Sequence, residues 1–222
     1  MTVLIAGATG ATGRRVVEEL VRAGVPVRAL VRDEARAREL LPAGVVELAV
    51  VDVGDRPALE RAMQGCDRVI CATGARPSLD VTGPLRVDYL GVRNLVDAAR
   101  AAGVSRFVLV SSLCVSRLLH PLNLFWLVLF WKRLGENYLR ASDLDWTIVR
   151  PGGLTEEEAT PDLTLTGPDQ LERGRLPRRQ VARVCVAALD CPQASRQVVE
   201  IVAADQPHGQ SFAEQFAAIA TP

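Results

Sequence analysis

Residues 3–13 read VLIAGATGATG. Val3 to Ala6 are continuously apolar, the pattern of a strand buried on both faces of a parallel sheet. Gly7, Gly10 and Gly13 follow at intervals of three, with Thr9, Ala11 and Thr12 among the residues between them. Val16, Val17, Leu20 and Val21 then share one face of a helix expected over 12–23, which Gly24 ends. A glycine triplet between a strand and a helix reads as a phosphate-binding turn. Backbone N–H groups at the helix N-terminus attract a pyrophosphate, and side chains there would keep it away.

The same strand-then-helix alternation continues along the chain. Strands are expected over 25–32, 45–52, 68–73, 106–112 and 146–153, and helices over 34–41, 57–63, 84–102 and 122–141. This predicts an α/β chain with a Rossmann-type, doubly wound parallel sheet. Residues 1–153 read as the dinucleotide-binding core of one domain spanning 1–222. After it the texture changes: EEEATPDLTLTGPDQLERG, from Glu156, is polar and rich in turn formers. A helix near 179–190, a strand over 198–203 and a helix near 210–219 complete the chain. This smaller portion, 154–222, is expected to cap the carboxyl edge of the sheet on the substrate side, where ligands of open α/β folds sit.

Composition narrows the function classes. The 26 basic and 26 acidic residues cancel, so no overall electrostatic footprint for nucleic acid is present. The five cysteines are odd in number and none has C-x-x-C spacing, which points to reduced thiols and a cytoplasmic setting. With two histidines, the composition argues against a zinc site. The opening MTVLIAGATG lacks the pattern of a secretory signal. The apolar run Leu124–Trp131 has eight residues, and a spanning helix needs about 20. No transmembrane segment is expected. The run reads as a buried helix that is hydrophobic all round, with a membrane-surface or partner-binding role as the alternative.

The end of the second strand sets the flavour of the cofactor. Folds that prefer the unphosphorylated dinucleotide place an acid there, on the ribose hydroxyls. This chain has Arg32 and, one helical turn later, Arg36. Two arginines can fork a 2′-phosphate, so NADP(H) is expected in preference to NAD(H). Arg36 also reads as a solvated helix charge, and Asp33 leaves room for the unphosphorylated form. Asp52 and Val53 follow the third strand, where an adenine would lie, and Ala72, Thr73 and Gly74 follow the fourth, beside the adenosine ribose. Their placement at the carboxyl ends of successive strands is what makes them candidates.

With VRALVRD at 27–33, VDVGD at 51–55, VDYLGVRNLVDAARAAGV at 87–104, RFVLVSS at 106–112 and TIVRPGGL at 147–154, the chain resembles the atypical short-chain dehydrogenase/reductases of the NmrA-like, NAD(P)-binding kind. NLFWLVLFWKRLGE, residues 123–136, is similar to the matching segment in dehydrogenase-like subunits of the chloroplast import translocon. The Arg32/Arg36 pair resembles the cofactor-binding arginines of NADPH-dependent biliverdin and flavin reductases. The resemblance implies that Ser111, Pro151, Gly152 and Gly153 join the cofactor site. It also implies a catalytic Ser–Tyr–Lys set, with Ser112 or Ser111 as the serine and Lys132 as the lysine that holds the nicotinamide ribose. Glu136 matches an acid that many relatives carry four residues beyond that lysine. The tyrosine belongs four residues before the lysine, on the same helix face. Val128 stands there, and Tyr138 lies on another face.

Lys132 therefore reads as a ribose ligand or as a snorkelling charge, and Asn94 as a site residue or a plain helix polar residue. Two functions stay open. One is hydride transfer to an unidentified small-molecule acceptor that needs no tyrosine, such as a flavin, quinone or bilin. The other is a non-catalytic, NADP(H)-responsive protein with a protein partner, contacted through 155–170 and any exposed aromatics of 125–131.

Overall fold

A computed structural model describes residues 1–42, 47–75, 79–117 and 119–219. The N-terminal half runs β1 (Val3–Ala6), α1 (Ala11–Arg22), β2 (Val27–Val31), α2 (Glu34–Leu40), β3 (Glu47–Val50), α3 (Arg56–Met63) and β4 (Arg68–Cys71). A π-helical turn, Leu85–Gly91, leads into α4 (Val92–Ala101), followed by β5 (Arg106–Val110), α5 (Val128–Arg140) and β6 (Trp146–Pro151). The remainder supplies β7 (Gly153–Thr155), β8 (Leu163–Thr166), β9 (Arg175–Pro177), α6 (Arg178–Asp190), β10 (Gln197–Ala203) and α7 (Phe212–Ala218). The expected third strand is found from Glu47, and the first two residues predicted for it lie outside the described residues.

Eight strands form one sheet in the order β3-β2-β1-β4-β5-β6-β10-β8. All pairs are parallel except β10 with the edge strand β8. Side chains of β1 alternate between two cores. Val3 and Ile5 pack on the side of α1 and α6, and Leu4 and Ala6 on the side of α3, α4 and α5. Covering both faces is what makes the strand continuously apolar.

Two features of the turn-rich stretch were not evident from its polarity. LTLT forms β8, in which Leu163 and Leu165 are buried and Thr164 and Thr166 half-buried, an alternation set by the strand period. Gly153–Thr155 and Arg175–Pro177 pair in parallel as a separate two-stranded sheet directly after β6. The C-terminal residues thus do two things: β10 and β8 widen the main sheet, and β7 and β9 stand at its carboxyl end.

The expectation of a buried helix over 122–141 is corrected. α5 starts at Val128, preceded by a 3₁₀ turn at Pro121–Leu124. Trp126 and Leu127 have positive φ, 55° and 59°, which breaks the helix there. Leu124, Phe125, Trp126 and Leu127 are 83, 59, 43 and 49% exposed. Apolarity alone therefore misplaced this stretch: the backbone turns out before the helix begins.

One polar cluster is buried within the fold. Arg150 of β6 donates to both oxygens of Glu136 on α5, at 3.0 and 2.7 Å, and lies 3.5 Å from Glu200 on β10. Glu200 also accepts the backbone N–H groups of Asp169, Gln170 and Leu171. Burial alone would lower the Arg150 pKa, and the hydrogen bonds and charges of Glu136, Asp169 and Glu200 more than offset it, so the guanidinium stays charged. The Glu136 and Glu200 side chains are 1% exposed, so removing the arginine strands two carboxylates. Arg150→Ala is expected to cost about 3–5 kcal/mol in chemical denaturation. A loss below about 1 kcal/mol, the level of an exposed pair, would show that the cluster is dispensable.

Candidate functional site

The carboxyl ends of β1, β4, β5 and β6 open onto a cleft of about 700 Å³. Thr9, Gly10, Ala11 and Thr12 from the turn after β1 wall it, with Ala72, Thr73 and Gly74 from the segment after β4. Ser111 and Ser112 follow β5, Lys132 comes from α5, and Pro151 and Gly152 from the end of β6. These predicted residues, far apart in sequence, share one cavity.

Gly7 and Gly13 shape the turn without walling it. Gly7 has φ +81°, a conformation that favours glycine. A Cβ on Gly13 would lie 2.1 Å from the Gly7 carbonyl oxygen, so α1 is pressed onto the end of β1 at backbone contact. Its N-terminal N–H groups face the turn with Gly10 as a cap that has no side chain. This cradle fits a dinucleotide's diphosphate.

Arg36, one arm of the expected arginine fork, walls the cleft, and Arg14 of α1 joins it. Neither side chain has a hydrogen-bond or ion-pair partner among the described residues, and Arg14 Nε is buried without one. Arg32 is exposed at the end of β2 and does not wall the cleft. Asp33 caps α2, its side chain accepting from Arg36 N at 3.0 Å, so its carboxylate is engaged locally. Asp52, Val53 and Gly153 also lie outside the cleft wall. Asp52 closes its own turn by accepting from Gly54 N, and the Val53 carbonyl accepts from Asn94 Nδ2 at 3.0 Å. Asn94 thus braces the third strand's loop and does not enter the cleft.

The main residue that sequence reading missed is Asp88. It sits in the π-helical turn before α4, its side chain 1% exposed, and its Oδ1 accepts from Lys132 Nζ at 2.7 Å. Its Oδ2 accepts from Ala75 N at 3.2 Å, which ties the segment after β4 to the same carboxylate. Gly135 makes the pair possible: a Cβ there would lie 2.6 Å from the Asp88 carbonyl oxygen. Burial pushes the Lys132 pKa down, but the charge and hydrogen bond of Asp88 outweigh it and hold it above the usual lysine value. Lys132 is therefore an ammonium at neutral pH. The signal for Asp88 was present, an acid at the start of the long VDYLGVRNLVDAARAAGV helix, but nothing local distinguished it from an ordinary helix charge.

The other candidates fall into place around this pair. Ser111 Oγ is buried at the cleft with no partner among the described residues. Glu136 belongs to the Arg150 cluster one turn beyond Lys132. Tyr138 donates to Asp97 at 2.7 Å and is not a cleft residue. No tyrosine or histidine is among the described residues that wall the cleft.

A family model described as NAD(P)H-binding matches residues 7–192. The chain belongs to the NAD(P)H-binding family. It is 38% identical to the chloroplastic protein TIC 62 of Arabidopsis thaliana, a match that covers 90% of this chain and 35% of that protein. It is 30% identical to sanguinarine reductase of Eschscholzia californica, over 100% of this chain and 97% of the reductase. Among solved structures, the anaerobilin reductase ChuY of Escherichia coli O157:H7 superposes with a TM-score of 0.79 at 27% identity, covering 94% of this chain and 100% of that one. As a member of this family with reductase relatives, the protein has an oxidoreductase-like Rossmann architecture.

Asp88→Asn keeps the shape and removes the charge opposite Lys132. The variant is expected to lose about 2 kcal/mol of stability, the value of a charge-assisted hydrogen bond. Lys132 has a raised pKa, so its contribution is complete below the unfolded value near 10.4 and fades only as pH rises through the folded value. Without the Asp88 charge, burial acts on Lys132 unopposed and lowers its pKa, so the deficit against the unaltered protein should be largest near about pH 7 and shrink as pH rises toward about 10. A deficit that stays constant across that range, followed by urea denaturation, would show that Asp88 does not hold Lys132 charged.

Proposed function

We propose that the protein binds NADP(H) in preference to NAD(H) and reduces a conjugated acceptor of the flavin, quinone or bilin type. The observation that carries this reading is the cleft wall itself, which holds cationic and hydroxyl groups but no tyrosine or histidine among the described residues. Bound there, a reduced nicotinamide supplies hydride.

Arg14 and Arg36 support the cofactor choice. Neither has a partner among the described residues, and the neighbouring acid that could serve a free ribose is engaged as a helix cap. A charge-assisted contact to a 2′-phosphate is worth about 1.5–3 kcal/mol. Arg36→Ala and Arg14→Ala should each weaken NADPH binding about tenfold or more and leave NADH binding nearly unchanged. Equal losses for both nucleotides in calorimetry would remove the 2′-phosphate from the argument.

The acceptor class follows from the missing acid. Reducing a ketone places charge on one oxygen, and a positioned proton donor contributes about a hundredfold to ten-thousandfold. Val128 occupies the position one turn before Lys132, and the Lys132 ammonium is held by Asp88, ready to bind ribose hydroxyls. Ser111 and Ser112 can donate a hydrogen bond but are weak acids. An acceptor that delocalises the incoming charge takes its proton from water. The sanguinarine and anaerobilin reductases among the similar proteins are consistent with acceptors of this kind.

The exposed Leu124–Leu127 stretch favours a second reading, an NADP(H)-responsive protein that contacts a partner through this surface. Steady-state NADPH oxidation across aldehydes, ketones, flavins, quinones and bilins separates the two. Turnover confined to the conjugated acceptors is expected. A simple ketone turned over at about 1 per second or faster would overturn the acceptor class. NADPH binding with no oxidation of any acceptor would establish the second reading in its place.

A further inference from the structure

Arg178 is the first residue of α6, directly after β9, and it walls the cleft together with Leu154. Neither the glycine turn nor the arginine fork accounts for it. Its Nε donates to Glu156 Oε1 at 2.7 Å. Its two terminal nitrogens have no partner among the described residues. A guanidinium offers five N–H donors in a fixed fork, and Glu156 takes only one side of it.

Glu156 is itself anchored. Its second oxygen accepts from Arg15 Nη2 at 3.2 Å, and Arg15 also donates to Glu158 at 3.0 Å and to the Ala11 carbonyl at 2.9 Å. The Arg15 side chain is 5% exposed, so this attachment is a built part of the fold. The chain of contacts Arg178–Glu156–Arg15 therefore ties the start of α6 to the first turn of α1, the turn that begins at the phosphate cradle. Ser111 Oγ, buried at the same cleft, independently presents a polar group that no other described residue satisfies.

We propose that Arg178 is an oxyanion-binding residue of the cleft, with Glu156 as the positioning residue that holds its guanidinium by Nε. This rests on reading the cleft as the nucleotide site. Two ligands carry the required group: the dinucleotide, through its diphosphate, and a conjugated acceptor, through a carboxylate.

Calorimetry with the full chain tests it, using NADPH, 2′,5′-ADP and biliverdin with its dimethyl ester as probes. Arg178→Gln should weaken NADPH at least fivefold while leaving 2′,5′-ADP, which has no diphosphate, within twofold; this assigns Arg178 to the cofactor. Unchanged NADPH with a fivefold loss for biliverdin but none for its ester assigns Arg178 to the acceptor carboxylate. Arg178→Lys should recover part of either loss. Glu156→Ala should weaken the same ligand in the unaltered background and have no further effect beside Arg178→Gln, whereas Glu157→Ala changes nothing. If Arg178→Gln alters neither ligand, the inference is overturned, even where the melting temperature falls, because the ion pair is then only structural. Failure of the unaltered protein to bind NADPH at all would instead sink the nucleotide reading, and this inference with it.

Discussion

The contact between Gly13 and Gly7 governs the rest of the structure. Two backbone segments meet where even one methyl group would collide with a carbonyl oxygen. That contact fixes how α1 leaves β1, and with it the direction in which the helix N-terminus points. β1 sits between β2 and β4 in the sheet, so the turn it ends in opens among the carboxyl ends of its neighbours. Every group gathered in the cleft, from Arg36 to Lys132, is placed relative to this one close approach.

A second close approach does similar work on the other side of the cleft. Gly135 lets α5 settle against the backbone of Asp88, and the lysine one turn earlier then meets a buried carboxylate. The same helix carries Glu136 into the Arg150 cluster, which also gathers β10 and the loop at 169–171. Lys132 is thus held from two directions: its charge by Asp88, its helix by Arg150. A buried ion cluster adds little net stability over apolar packing, but it tolerates few alternative arrangements. Its value here lies in fixing where α5 and the end of β6 stand relative to each other.

The acidic segment after β7 shows how charge can organise a stretch that has little apolar content. Glu156 and Glu158 bind Arg15, Arg178 and Arg179, which belong to the two helices packed against each other on one face of the sheet. Each pair is exposed on the carboxylate side and worth little alone. Shared among three arginines, they keep residues 156–158 over the junction of α1 and α6.

By itself the sequence determined the class of fold and the glycine turn after β1. Strand and helix alternate with periods that local sterics impose, and only glycine fits the approach at residues 7 and 13. It also indicated which strand ends carry the cleft, since Thr9, Thr73, Ser111, Lys132 and Pro151 meet there. The tertiary structure alone decided three things. It paired Lys132 with Asp88, residues 44 apart whose contact depends on how two helices pack. It brought Arg14 and Arg178 to the cleft and left Arg32 outside, because side-chain reach depends on the angle at which each helix departs. It also exposed Leu124–Leu127, since hydrophobicity records a preference for burial but not whether the backbone, turned outward by positive φ at Trp126 and Leu127, allows it.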